Sequence, residues 1–342
     1  MKILVTGNQG YIGSVLTELL FSQGHEVIGY DSGYYQDCAL YPDQSKIQKQ
    51  IHKDIRNISA EDMRGAAAVI HLAALSNDPL GELDPQLTAA INFRATVRLA
   101  ELAKKNGIVR FVYSSSQSMY GIAAVDQELD EDTSEKKPLT EYARTKWEAE
   151  LALKKLGASN FTVVCLRPST VFGASPRLRC DIVFNNLVAC AYATGRIEIK
   201  SDGMPWRPTI HIQDVSRAFL AALIAPQEIV GNQSFNVGNG NFRVKELAEA
   251  AARAVPGSQI VYTGEHSGDE RTYRVSFKKI GQVLKDYYQP HWDLEKGGAE
   301  LVALFKKVGF TEEQFRGRIC NRLKQIKYLK ERNRISDQLI WI

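Results

Sequence analysis

Tyr142 and Lys146 lie four residues apart, and a run of serines, Ser114, Ser115 and Ser116, precedes them in the chain. On a helix, positions i and i+4 share a face, so the lysine ammonium can stand beside the tyrosine phenol. A phenol ordinarily titrates at about 10, too high for a base at neutral pH, and a nearby cation favours its ionised form. A serine hydroxyl at a neighbouring strand end can then bridge the phenol and an alcohol. The chemistry these three residue types offer together is proton transfer to and from a hydroxyl group. Taken alone, the Tyr-x-x-x-Lys pair fits an exposed amphipathic helix better.

The elements needed to position such a site begin at the N-terminus. Lys2 to Thr6 reads as a buried strand, followed directly by Gly7-Asn8-Gln9-Gly10-Tyr11-Ile12-Gly13 and then by the amphipathic stretch Ser14 to Ser22. In this strand, glycine turn and helix, Gly7 permits the tight turn and Gly10 lets a pyrophosphate approach the backbone. Gly13 brings helix and strand together, and the helix N-terminus faces the phosphates. A second strand, His25 to Asp31, ends in a carboxylate about where a dinucleotide's ribose hydroxyls should lie. That carboxylate accepts from both hydroxyls and repels a 2′-phosphate, which favours NAD over NADP. Asp31 could instead cap the turn at Ser32-Gly33.

Taken in order over roughly the first 280 residues, these motifs resemble the NAD-dependent epimerase/dehydratase family, the extended short-chain dehydrogenases acting on nucleotide sugars. The resemblance implies cofactor contacts at Gly7, Gln9, Gly10, Tyr11, Ile12, Gly13 and Asp31. It extends them to Asp54 and Ile55 ending a third strand, to Leu72, Ala73 and Ala74 ending a fourth, and to Asn92 on the following helix. Phe111 to Ser116, leading to Met119-Tyr120-Gly121, resembles the family's serine strand and makes Ser116 the catalytic hydroxyl beside Tyr142 and Lys146. Ser114, Arg167 and Pro168 complete the implied cofactor site. Ser116, Gln117, Ser118, Asn185, Arg207 and Arg271 are the implied substrate contacts, with the two arginines on a substrate diphosphate. Surface ion pairing is the other reading of those arginines, and a structural role the other reading of Trp206. Arg177 and Arg179 are further candidates for that diphosphate, with solvated loop charges as their first reading.

Composition agrees with such an enzyme. The chain has 342 residues, 44% hydrophobic and 24% charged, with a net charge of +4. That balance is ordinary for a globular protein and too weakly basic to indicate nucleic acid or a membrane surface. No apolar run approaches the roughly 18 residues needed to span a bilayer, so a cytoplasmic protein is expected. Five scattered cysteines and dispersed histidines give neither a disulfide framework nor a metal site.

Strands alternating with helical patterns predict an α/β fold, a doubly wound parallel sheet with a smaller substrate lobe. The expected division is residues 1–172 and 209–240 in the dinucleotide-binding sheet domain and 173–208 and 241–310 in the lobe. Residues 311–342 form a basic helical tail, carrying Phe315, Ile319, Leu323, Ile326 and Leu329, for which the family gives no template. Packing of this tail on its own lobe or on a second subunit is expected, and with it a homodimer.

The reaction expected from the resemblance turns on the residues after Ser116. Family dehydratases read Thr-Asp-Glu there, with the acids eliminating water; this chain reads Ser116-Gln117-Ser118. An unperturbed serine cannot replace a titratable group. Hydride chemistry remains: epimerisation of a nucleotide-diphosphate sugar, C4 being the expected carbon, or reduction of a 4-keto sugar. A non-catalytic NAD-binding scaffold is the reading from a different class, disfavoured by the intact Ser116, Tyr142 and Lys146.

Overall fold

The computed structural model describes residues 1–43, 46–76, 78–123, 127–264 and 272–342. Seven parallel strands form the central sheet: β1 (Lys2–Thr6), β2 (Glu26–Asp31), β3 (Lys49–His52), β4 (Ala68–His71), β5 (Arg110–Ser114), β6 (Thr162–Pro168) and β7 (Gln233–Val237). They are ordered β7-β6-β5-β4-β1-β2-β3. The central strands are largely apolar because helices cover both faces of the sheet, whereas the edge strand β3, Lys-Gln-Ile-His, is partly exposed. Ile3, Leu4 and Val5 accordingly have no exposed surface. Strand order reverses between β1 and β4, and the crevice beyond their carboxyl ends is where an open sheet of this kind receives its ligand. A buried chain of hydrogen bonds ties the two ends together: Thr6 Oγ1 to His71 Nδ1 at 2.6 Å and His71 Nε2 to Thr96 Oγ1 at 2.7 Å. Burial, with Lys146 nearby, lowers the His71 pKa to about 3, so the ring is neutral.

The two faces of the sheet carry separate apolar clusters. One joins Ile3, Val5 and Leu16 to lobe residues such as Phe184, Leu247 and Phe305, so sheet and lobe share a continuous core. The other holds Leu4, Phe111 and Leu153. Within the lobe, Thr170–Phe172, Trp206–His211 and Gly240–Arg243 form a three-stranded sheet. The expected boundaries at 172 and 209 cut through this sheet, because short apolar runs do not reveal which sheet they join.

Two further expectations change. The third strand ends at His52, and Asp54 instead caps the single turn Ile55–Asn57, its side chain accepting from the Arg56 amide at 2.8 Å. The tail is not one helix: Glu312–Arg316 and Arg322–Glu331 are separated at Gly317. Phe315 and Cys320 pack in the lobe-side cluster, but Ile326, Leu329, Ile335 and Leu339 pack on the opposite face of the sheet. The tail therefore passes from one face to the other. All five cysteines are buried and free, and no described helix is long and apolar enough to cross a membrane.

Candidate active site

The glycine turn leaves β1 with Gly7 at φ 75°, a conformation that favours glycine. A β-carbon there would stand 2.8 Å from the Ala73 amide nitrogen, where β4 exits. One on Gly13 would meet the Gly7 carbonyl oxygen at 2.1 Å, so the helix Tyr11–Ser22 lies directly on the turn. No side chain caps that helix at Gly10, which leaves its first N–H groups to the cleft that Gly10, Tyr11 and Ile12 line. Asp31 faces the same cleft. Its two carboxylate oxygens accept from the Gln9 amide at 3.1 Å and the Gly33 amide at 2.8 Å. Burial still pushes its pKa up, against these bonds. Each oxygen keeps a lone pair for a ribose hydroxyl, so turn and carboxylate fit a dinucleotide. Ile55, Leu72, Ala73 and Ala74 line the cleft as expected, as does Asp54, whose carboxylate is paired with Arg56 at 2.6 Å.

At the other end of the cleft stand Ser114, Ser116, Ser118, Tyr142 and Lys146. Thr140 caps the helix Glu141–Leu156 by accepting from the Ala143 amide at 3.2 Å, which sets Tyr142 and Lys146 on one face in the first turns. Lys146 is 3% exposed, and its Nζ donates to the Ser114 carbonyl at 2.7 Å. Desolvation lowers its pKa to about 7. Ser116 caps the turn Gln117–Tyr120: its Oγ accepts from the Ser118 amide at 3.2 Å and lies 2.8 Å from Ser118 Oγ.

Several residues expected at the site stand behind it. Arg167, 1% exposed, pairs with Glu150 at 2.6 Å and donates to Tyr120 Oη at 2.9 Å, so its guanidinium is not available to a cofactor. Glu150 also accepts from Ser115 and Ser234, both at 2.6 Å, and these partners together hold its carboxyl below the ordinary range despite burial. Gln117 turns inward, donating to the Arg167 carbonyl at 2.9 Å and accepting from Ser169 Oγ at 3.1 Å. Asn92 lies in the π-helical stretch Ala89–Arg94 and fixes the loop after β4 through the Leu75 amide, at 2.8 Å, and the Leu75 carbonyl, at 3.2 Å. Asn185 is fully buried; it accepts from the Gly173 amide at 3.0 Å and donates to Tyr11 Oη at 3.0 Å. Its amide latches the lobe loop to the glycine turn and leaves nothing for a nucleotide. Gln9 contributes its backbone amide to Asp31, while its side chain lies off the cleft. Pro168 and Arg207 do line the cleft. Arg271 lies outside the described residues. Trp206 is held between Arg243 and Arg274, each 5.1 Å from its ring, which is a structural role.

The cleft also contains arginines outside the implied substrate contacts. Arg179, expected as a solvated charge, is 8% exposed, lines the cleft and pairs with Asp181 at 2.8 Å; Arg177 is equally buried. Arg322, from the tail, lines it as well. Only the folded chain could reveal these burials, since each depends on how its loop packs against distant segments.

Comparisons with known proteins agree with this geometry. Residues 3–238 match the model of the NAD dependent epimerase/dehydratase family. The UDP-glucose 4-epimerase of Mycolicibacterium smegmatis is 30% identical over 322 residues, covering 90% of this chain and 99% of that protein. The UDP-glucuronate 4-epimerase of Thermodesulfobacterium geofontis is 28% identical, covering 86% and 93%. The structure of MoeE5 in complex with UDP-glucose and NAD superposes with a TM-score of 0.77 at 27% identity, covering 90% of this chain and 99% of that one. With the cradle, the Ser116–Tyr142–Lys146 group and a match across more than half its length, the chain belongs to the NAD-dependent epimerase/dehydratase family, and its cofactor is NAD.

Proposed function

We propose that the protein is a nucleotide-sugar epimerase that inverts a carbinol carbon, C4 of a UDP-hexose, through a keto sugar. The observation that supports this most is the composition of the reacting end of the cleft: Ser116, Ser118, Tyr142 and Lys146 face it, while Gln117 is turned away into the Arg167 and Ser169 network. The segment that would carry an eliminating acid pair thus presents only hydroxyls, which disfavours dehydration. The 4-epimerase relatives favour C4 and a UDP-sugar.

The chemistry that NAD supplies when bound is reversible acceptance of hydride from a carbinol carbon. In this reading Tyr142 accepts the substrate's hydroxyl proton and later returns it. Lys146, anchored to the Ser114 carbonyl, provides the positive charge that favours the phenolate. Ser116, aligned by Ser118, holds the substrate oxygen, and Arg207 meets the diphosphate. An acid at residue 117 or 118 is not needed, because no leaving group departs.

The test is incubation with NAD and UDP-glucose, UDP-galactose or UDP-glucuronic acid, followed by NMR of the sugar. Interconversion of a C4 pair without net NADH supports the proposal. A 4-keto-6-deoxy product would establish a dehydratase instead. Reaction restricted to keto sugars, with stoichiometric consumption of a reduced nicotinamide, would establish a reductase.

A further inference from the structure

The C-terminal tail reaches the cleft by a route that the family match, ending at residue 238, does not cover. Between Cys320 on one face of the sheet and Ile326 on the other, the chain passes the cleft, and the residue it places there is Arg322. The Arg322 side chain is 2% exposed. Its Nη2 donates to the Arg177 carbonyl at 2.6 Å, and its guanidinium lies 4.4 Å from the Tyr35 ring centre. Its buried Nη1 has no hydrogen-bond partner. A buried guanidinium N–H left without an acceptor is costly, and here it belongs to a side chain that lines a cleft.

The surrounding charge is unbalanced in the same sense. Arg179 lines the cleft beside Arg322, and Asp181, paired with Arg179 at 2.8 Å, is also the carboxylate nearest the Arg322 backbone amide, at 3.4 Å. Arg177, behind them, is 7% exposed and has a buried Nε with no partner. Burial, and then the neighbouring Arg179, push the Arg322 pKa down, with the Asp181 carboxylate opposing them.

The tail's other contacts show which part of the cleft this cluster faces. Trp341 Nε1 donates to the Ser32 carbonyl at 2.7 Å, Tyr34 Oη donates to the Leu339 carbonyl, and Arg56 Nη2 donates to the Gln338 carbonyl at 2.7 Å. Ser32 and Tyr34 follow Asp31, and Arg56 is paired with Asp54. The tail therefore grips the segments that frame the adenosine half of the dinucleotide site. We infer that Arg322 is a ligand of the NAD diphosphate, closing the cofactor site from the side opposite the helix N-terminus at Gly10 and Tyr11. The inference concerns the cofactor, whichever sugar is turned over, so it stands or falls separately from the proposed reaction.

Calorimetry on the full-length protein freed of bound nucleotide tests it, with NAD, ADP, UDP and adenosine as probes. Arg322→Met should weaken NAD and ADP by roughly ten- to a hundredfold, the scale of a lost charge-assisted phosphate contact, and leave adenosine and UDP unchanged. Arg322→Lys, which keeps the charge but loses the fork, should fall between the two. Should Arg322→Met fail to fold, Arg322→Lys carries the test through the same comparison of NAD with adenosine. Unchanged NAD affinity would overturn the inference. So would an equal loss for adenosine, which would make Arg322 structural, or a loss confined to UDP, which would assign it to the substrate's diphosphate.

Discussion

The Lys146 ammonium donates to the Ser114 carbonyl at 2.7 Å, so the last residue of β5 holds the cation proposed to favour the Tyr142 phenolate. Burial lowers the Lys146 pKa to about 7, well below its ordinary value. Between these two values the unfolded chain binds a proton that the folded chain does not, so stability rises with pH above about 7 and the cost is fully present below it. Chemical denaturation of the nucleotide-free protein from pH 7 to 10 should show this rise relative to Lys146→Met. Parallel pH profiles for the two proteins would mean that Lys146 is not desolvated.

Tyr142→Phe keeps the ring and deletes the proton acceptor. Turnover should fall roughly 10²-fold or more, the usual scale for a positioned acid or base, while calorimetric NAD affinity persists. Near-normal turnover would exclude Tyr142 as the base.

The Glu150–Arg167 pair offers a sharper distinction, because the resemblance placed Arg167 on the cofactor and the structure buries it behind the strand ends. Arg167→Met leaves the Glu150 carboxylate buried with only hydroxyl partners, and should destabilise the fold by about 3–5 kcal/mol. The fraction that folds should bind NAD with unchanged affinity. A variant of normal stability but weakened NAD binding would restore Arg167 to the cofactor site.

Legibility followed the range of the interaction. Gly7, Gly10, Gly13 and Asp31 were readable because a turn, a helix start and a strand end are local features with fixed spacing. Tyr142 and Lys146 were readable for the same reason, one helical turn apart. Asn92, Asn185 and Arg167 were read as ligands because the same polar side chains serve either as contacts or as buried links, and only tertiary structure tells which. Asn185, for instance, spends its amide on Gly173, Tyr11 and Arg179. Arg322 was invisible because its place at the cleft depends on the tail crossing from one face of the sheet to the other.

Asp31 is proposed to set the choice between nicotinamide cofactors. NAD should bind more tightly than NADP, and Asp31→Ala should narrow the gap by relieving the clash with a 2′-phosphate. Because burial raises the Asp31 pKa, NAD affinity should also decline on acidification as the carboxylate is neutralised, a dependence that Asp31→Asn removes. Equal affinities in the unmodified protein would end this assignment.

Hydride chemistry at Ser116, Tyr142 and Lys146, needing no acid from residues 117 and 118, is told from enolate chemistry by solvent isotope. The protein is incubated with NAD and a UDP-hexose in deuterated water, and the sugar is followed by NMR and mass spectrometry. Inversion of one carbinol carbon with no deuterium on any sugar carbon is the predicted result, since the hydride that leaves is the one that returns. Deuterium on a carbon adjacent to a ketone, the inverted carbon itself included, would demonstrate enolate chemistry instead.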